Sequence, residues 1–231
     1  MSKKGHPLEE RNLELGLVAF KSPKSAMAEA YRILRTNLGF TGMEKPFRSV
    51  LVTSAMARDG KSTVAANLAV VTAQAGYNVL LVDCDLRKPI QHKIFQIPNN
   101  TGFTNCVLSN IDVEDAAYVL TLNNLKVLTS GPIPPNPAEI LNSERTRKIW
   151  AQMASKYDYV FIDSPPILAV TDASIIASQV DGTIMVVRSG ATRIDSAREA
   201  QESLAKANAR TIGVVLNQVK MNSKGYYGYY A

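Results

Sequence analysis

The feature that most constrains this chain is a change of pattern around residue 60. The apolar run Val50-Leu51-Val52 leads into Ser54-Ala55-Met56-Ala57-Arg58-Asp59-Gly60-Lys61-Ser62-Thr63, and a helical pattern runs on from Thr63 to Ala75. A strand, a tight loop and a helix in that order aim loop N–H groups and the helix N-terminus at one spot, which suits a phosphate. Gly60-Lys61-Ser62-Thr63 adds a lysine able to reach β- and γ-phosphates and a Ser62 hydroxyl able to hold Mg²⁺. The loop therefore predicts a nucleoside triphosphate site, with Arg58, Asp59, Gly60, Lys61, Ser62 and Thr63 around the phosphates. Ala55 stands where the common motif has its first glycine, and its Cβ narrows the backbone options there without closing the cradle. Arg58 either points to solvent or a subunit contact, or lies along the phosphates.

The rest of the pattern predicts what surrounds that loop. Short runs rich in Val, Ile and Leu recur at Val50–Thr53, Val79–Val82, Leu125–Leu128, Tyr159–Ile162, Thr183–Val187 and Gly213–Leu216. Unbroken apolar runs of this length read as strands of a parallel sheet covered on both faces. Helical patterns at Thr63–Ala75, Ser143–Lys156, Asp172–Gln179 and Asp195–Ala207 lie between them, and Pro137 opens a short helix. The alternation predicts a doubly wound, mostly parallel α/β sheet with ligands at the carboxyl ends of its strands. With 231 residues and 46% hydrophobic content, one core is expected. The boundaries are read as a mobile N-terminal arm over residues 1–24, a folded unit over 25–220 and a flexible tail over 221–231.

Composition excludes several classes. No apolar run approaches the 18 or so residues needed to cross a bilayer, and Met-Ser-Lys-Lys-Gly-His is no signal sequence. Cys84 and Cys106 have neither metal-ligand nor disulfide-framework spacing, which suits a reducing cytoplasm. A net charge of +6 is dispersed and selects no partner class.

Two acidic motifs turn a nucleotide binder into a group-transfer candidate. The run Val79-Leu80-Leu81-Val82 ends in Asp83-Cys84-Asp85-Leu86-Arg87, and Tyr159-Val160-Phe161-Ile162 ends in Asp163-Ser164-Pro165-Pro166. In a parallel sheet these carboxylates emerge at the same edge as the phosphate loop, and a hydrated Mg²⁺ gives them a reason to be there. Ser62, Asp83 and Asp163 form the expected metal set. Asp83 and Asp85 share a side if the strand stays extended, so one faces the metal while the other approaches an acceptor hydroxyl. Asp83 is the first choice as proton acceptor and Asp85 the second; Asp85 could alternatively just pair with Arg87.

Together, Gly60-Lys61-Ser62-Thr63, Val82-Asp83-Cys84-Asp85-Leu86-Arg87 and Phe161-Ile162-Asp163-Ser164-Pro165-Pro166 resemble the bacterial tyrosine kinases of capsule and exopolysaccharide synthesis. The resemblance runs from about Glu29 to the C-terminus. It implies a P-loop fold of the partitioning-ATPase and iron-protein type, with ATP and Mg²⁺ as cofactors. Lys61, Asp83 and Asp85 carry the catalysis in this reading. Glu29-Ala30-Tyr31-Arg32-Ile33-Leu34-Arg35 matches the family's E-x-x-R-x-x-R helix, which implies a ring oligomer, an octamer among the candidate sizes, with Glu29, Arg32 and Arg35 at the subunit contact. Asn217 resembles the residue that reads adenine in related ATPases. The resemblance further implies a split arrangement in which a cytoplasmic catalytic chain is recruited to the inner membrane face by a membrane-bound activator that regulates chain length. A cognate phosphotyrosine phosphatase and protein substrates of sugar-nucleotide or polysaccharide synthesis complete the implied partners, with no nucleic acid among them. Arg58 departs from the family, which often has glycine there.

The chain ends Gly225-Tyr226-Tyr227-Gly228-Tyr229-Tyr230-Ala231. Glycine between uncharged phenols makes a mobile segment that an active site could receive, so Tyr226, Tyr227, Tyr229 and Tyr230 are the expected phosphoacceptors. The reach of the tail covers its own site or a neighbour's, and it is the family resemblance that implies transfer in trans within the ring. A sticky aromatic tail that packs on a partner is the plainer reading. Two other functions compete: a partitioning or septum-positioning ATPase switching as a dimer, and an ATP-dependent scaffold without transfer. The first usually carries a second lysine early in the loop, where this chain has Met56.

Overall fold

A computed structural model of the chain describes residues 17–43, 46–120, 122 and 124–219. In chain order the elements are α1 (Val18–Lys21), α2 (Ala26–Thr41), β1 (Ser49–Ser54), α3 (Lys61–Gln74), β2 (Val79–Asp83), α4 (Gln91–Ile94), α5 (Phe103–Leu108) and α6 (Val113–Ala116). Then follow β3 (Tyr118–Val119), β4 (Leu125–Leu128), α7 (Pro137–Leu141), α8 (Glu144–Lys156), β5 (Tyr159–Asp163), α9 (Asp172–Ala177), β6 (Gly182–Arg188), α10 (Ile194–Lys206) and β7 (Thr211–Asn217).

The strands form one seven-stranded sheet in the order β3-β4-β2-β5-β1-β6-β7. All pairings are parallel except that of β3 with β4. Successive side chains of each strand go to opposite faces. Val50, Val52, Leu81 and Phe161 join the cluster that includes Ala65, Leu68 and Val71 of α3. Leu51, Val82 and Ile162 join the opposite cluster, which includes Trp150 of α8, Ile176 of α9 and Leu204 of α10. Both faces are thus covered, which is why the strands lack polar alternation and why the doubly wound expectation holds. Helix α3 is enclosed almost all round, with Val64 through Ala73 buried, so its Ala-rich sequence lets it lie close to the sheet.

The expected mobile arm over residues 1–24 needs correcting at its C-terminal end; residues 1–16 lie outside the described residues. Leu17 and Ala19 are buried. The Ala19 N–H donates to Asn67 Oδ1 at 3.0 Å, and Gln74 Nε2 donates to the Ala19 carbonyl at 3.2 Å. Helix α1 is one turn long, too short to show periodicity, and it is held by apolar burial and by side chains of α3.

Candidate functional site

Register places the acidic residues. Asp83, the last residue of β2, lies beside Asp163, the last of β5, and Asp163 in turn lies beside Val52 of β1. Neighbouring parallel strands lie about 4.8 Å apart, so two carboxylates and the start of the phosphate loop meet at one edge.

The loop itself is held by its own backbone requirements. Gly60 caps α3 with φ +95°, and a Cβ there would lie 2.1 Å from Asn217 Nδ2, so only glycine fits. Asn217 Nδ2 donates to the Asp59 carbonyl at 2.9 Å, and its Oδ1 accepts from Gln218 N at 2.9 Å. The buried Asp59 carboxylate accepts from Met56 N at 2.9 Å and from Thr192 Oγ1 at 2.8 Å. Asp59 and Asn217, both expected around the nucleotide, therefore spend side-chain hydrogen bonds on the loop itself. Arg58 is exposed and has φ 69°, a backbone conformation that explains why glycine suits this position.

At the start of α3, Lys61 Nζ lies 3.2 Å from Asp85 Oδ2 and 3.6 Å from Asp163 Oδ1, and donates to Ser62 Oγ at 3.1 Å. Burial would lower the Lys61 pKa, but Asp163 and Asp85 outweigh it and hold the ammonium above its ordinary value. Asp83 is fully buried; its Oδ2 accepts from Ile90 N at 2.9 Å and Gln91 N at 2.8 Å, and its Oδ1 from Asp85 N at 3.2 Å. Burial first and the Asp163 charge second push the Asp83 carboxyl up to about 8. Burial also raises Asp163, against the opposing pull of Lys61. The pairing of Asp85 with Arg87 does not occur. Arg87 makes a two-pronged pair with the buried Asp172 at the start of α9, with Nε and Nη2 each 2.9 Å from a carboxylate oxygen.

These charges test whether Mg²⁺ fits. Three buried carboxylates face one half-buried ammonium, and Asp163 Oδ1 has no hydrogen bond. That imbalance suits a divalent cation. Among the described residues no three Asp, Glu, His or Cys side chains enclose a metal by themselves. Mg²⁺ characteristically completes such a site with nucleotide phosphates and water, so the donor set fits.

Sequence reasoning missed two parts. Gln91 donates through Nε2 to Asp163 Oδ2 at 2.8 Å and to the Ser62 carbonyl at 3.1 Å. A hydrophobic periodicity search has no means of finding a buried glutamine on a four-residue helix. A cavity of about 610 Å³ lined by Arg188, Ser189, Gly190, Ala191, Gln218 and Val219 opens beside Asn217. The expected contact helix has a mixed character: Arg32 pairs with Glu29 at 2.6 Å and reaches the Pro23 carbonyl, whereas Arg35 Nη1 donates to the Val71 carbonyl of α3 at 3.0 Å. Tyr226, Tyr227, Tyr229 and Tyr230 lie outside the described residues. Among the described residues no helix is long and apolar enough to cross a membrane.

A glycine-capped loop after β1, a lysine at the head of α3 and carboxylates closing β2 and β5 define a P-loop NTPase, and the family model described as "ParA: NUBPL iron-transfer P-loop NTPase" matches residues 47–226. Membership of that class implies nucleotide binding. The chain is 43% identical over 218 residues to tyrosine-protein kinase YwqD of Bacillus subtilis strain 168, covering 94% of this chain and 92% of YwqD. The crystal structure of the chimerical protein CapA2B2 superposes with TM-score 0.86 at 38% identity, over 89% of this chain and 91% of that one. Within the P-loop class, the chain belongs to the bacterial tyrosine-protein kinases. The septum site-determining protein MinD of Pyrococcus horikoshii OT3 has TM-score 0.63 at 23% identity, over 73% of this chain and 69% of its own, a likeness of fold alone.

Proposed function

We propose that this chain transfers the γ-phosphoryl group of ATP to tyrosine, its own C-terminal cluster included, and thereby regulates capsular or exopolysaccharide synthesis. The observation that carries the reading is the grouping of Lys61, Asp85 and Asp163 beside Asp83 at the carboxyl edge. A simple nucleotide switch needs the lysine and a metal carboxylate; the additional acidic pair after β2 suits an acceptor hydroxyl.

Gly60 and the following N–H groups cradle the phosphates, and Lys61 exchanges its carboxylate partners for the β- and γ-oxygens. Ser62, Asp83 and Asp163 would hold Mg²⁺, which when bound would neutralise phosphate charge. Asp83 was the first choice as proton acceptor, but its oxygens already accept three backbone N–H groups. Asp85 is the better placed of the two: its side chain keeps 7% exposure and turns toward Lys61. As the tyrosine oxygen bonds to phosphorus and the β–γ bridging oxygen leaves with ADP, the phenol proton passes to Asp85. The cavity beside Asn217 takes the nucleoside, and Asn217 retains one amide hydrogen for the base.

The Glu29-Arg32-Arg35 helix supports a ring of copies, with Glu29 exposed, Arg32 half-buried and Arg35 tied to α3. In that ring the tail of one copy enters the site of the next. A membrane-bound activator recruits the chain to the inner membrane face, and a phosphatase reverses the modification. The test mixes a full-length Lys61→Met chain with an active chain lacking residues 226–231 in labelled ATP and Mg²⁺. The expected result is phosphotyrosine at 226–230 of the dead chain, and none from the Lys61→Met chain alone. No label on the dead chain in the mixture rejects transfer in trans, and label without any active chain rejects the role of Lys61.

A further inference from the structure

Gln91 touches all three motifs that surround the site. Its backbone N–H donates to Asp83 Oδ2 at 2.8 Å, and its side-chain Nε2 donates to the Ser62 carbonyl at 3.1 Å and to Asp163 Oδ2 at 2.8 Å. The residue is fully buried. Both neighbours of Nε2 are acceptors, so chemistry fixes the amide orientation: an oxygen turned that way would face a carbonyl and a carboxylate.

We propose that Gln91 is a positioning residue that holds the Asp163 carboxylate in the orientation needed for Mg²⁺-nucleotide. The proposal rests on the reading of Asp163 as a metal-side carboxylate. With Oδ2 tied to Gln91, the other oxygen, Oδ1, is buried without a hydrogen bond and lies 3.6 Å from Lys61 Nζ. The terminal torsion of an aspartate is soft, so an untethered carboxylate would sample many orientations. Tethering one oxygen selects which one the ligand meets. The clip also couples the strands: the turn into α4 holds Asp83 through Ile90 and Gln91 N–H groups while its side chain holds Asp163. A packing role alone would not require amide hydrogens aimed at a carboxylate. Outer partners of metal-side groups of this kind are typically worth about 10- to 100-fold in metal affinity.

The test replaces Gln91 by methionine, which keeps the volume and removes the hydrogen bonds. Calorimetry measures Mg²⁺ affinity of the full-length chain with ADP bound, and a parallel titration measures ADP affinity in EDTA. Gln91→Met is expected to weaken Mg²⁺ binding about 10- to 100-fold and to leave metal-free ADP binding within about twofold. Unchanged Mg²⁺ affinity overturns the proposal. So does an equal loss of metal-free ADP binding, which would make Gln91 a packing residue of the loop. If Gln91→Met fails to melt cooperatively, Gln91→Leu is measured under the same criteria. Neither titration involves tyrosine, so a chain that transfers no phosphoryl group still decides the role of Gln91.

Discussion

Two clusters in this molecule are built from the same ingredients and reach opposite balances. Away from the site, Glu114 of α6 accepts from Lys126 of β4 and from the Tyr157 hydroxyl at 2.7 Å. Burial would raise the Glu114 carboxyl, but its bonds to Lys126 and Tyr157 outweigh that and hold it below its ordinary value. Burial, followed by the bond to Glu114, pushes the Tyr157 phenol well up, so it stays a neutral donor. At the carboxyl edge, by contrast, Asp83, Asp85 and Asp163 share Lys61, and the Asp83 carboxyl is pushed up to about 8. The first cluster is closed and stabilises the fold. The second is left short of positive charge, which fits the proposal that nucleotide and metal complete it.

The comparison breaks most directly at Asp83. Between about pH 4, where an unfolded aspartate titrates, and about pH 8, the native chain binds more protons at Asp83 than the unfolded chain. Stability from this group is therefore full below the lower limit and falls as pH rises through the upper one. Asp83→Asn should flatten that fall, narrowing the gap between the nucleotide-free melting temperatures at pH 5 and pH 8 by on the order of 5 °C, although its amide turns a donor toward a backbone N–H that the carboxylate accepts. The same change should cost about 10²-fold or more in Mg²⁺-dependent phosphotyrosine formation, since it removes a charge beside the metal. Calorimetric melting at pH 5 and pH 8 measures the first effect and a labelled-ATP assay the second. A variant whose gap between pH 5 and pH 8 is as wide as the parent's would mean the site is as balanced as the Glu114 cluster, and the contrast would fail.

Glu114→Gln should behave oppositely and with a smaller effect. It weakens one bond to Lys126 and reverses the demand on Tyr157, in a cluster where Glu114 is 35% exposed. After allowance for solvent screening the expected loss is about 1 kcal/mol. The folded Glu114 pKa lies below the unfolded one, so its contribution is present above the unfolded value and vanishes as pH falls through the folded value. Denaturant melts at pH 7 and pH 3 should show a gap that closes at the acid end, with activity unchanged. A gap that widens toward acid would remove Glu114 from the balanced class.

The sequence displayed the site far better than it displayed the wall around it. In the candidate site, Lys61 was visible through the Gly60-Lys61-Ser62-Thr63 motif, and Asp83, Asp85 and Asp163 because they end or closely follow an apolar run, where a charge stands out. Parallel register then brought Asp83 beside Asp163 without any further information. Arg87 was visible, but its partner Asp172 comes from an element 85 residues away, and no local spacing encodes that pair. Helices α4, α5 and α6 span four to six residues each and are held by tertiary bonds rather than periodicity, so they left no pattern to read. Gln91 belongs to that group. The edge strand β3 is two residues long and escaped for the same reason.

Arg58 carries the smallest expected effect and sharpens the comparison at its edge. It is an exposed cation one residue from the buried Asp59, yet it has no part in the balance among Lys61 and the three aspartates. Its φ of 69° costs a non-glycine residue about 1 kcal/mol. Arg58→Gly removes that strain, but glycine also gives the unfolded chain more freedom, at a cost of about 0.4–1 kcal/mol. The two nearly cancel, so stability should stay within about 0.5 kcal/mol of the parent. If the side chain points to solvent or a subunit contact, Mg²⁺-ADP affinity of the Arg58→Gly chain should stay within about threefold, a change under 1 kcal/mol. A loss of tenfold or more would mean that Arg58 lies along the phosphates. The positive charge available to the site would then come from two side chains, and the imbalance that separates it from the Glu114 cluster would be correspondingly smaller.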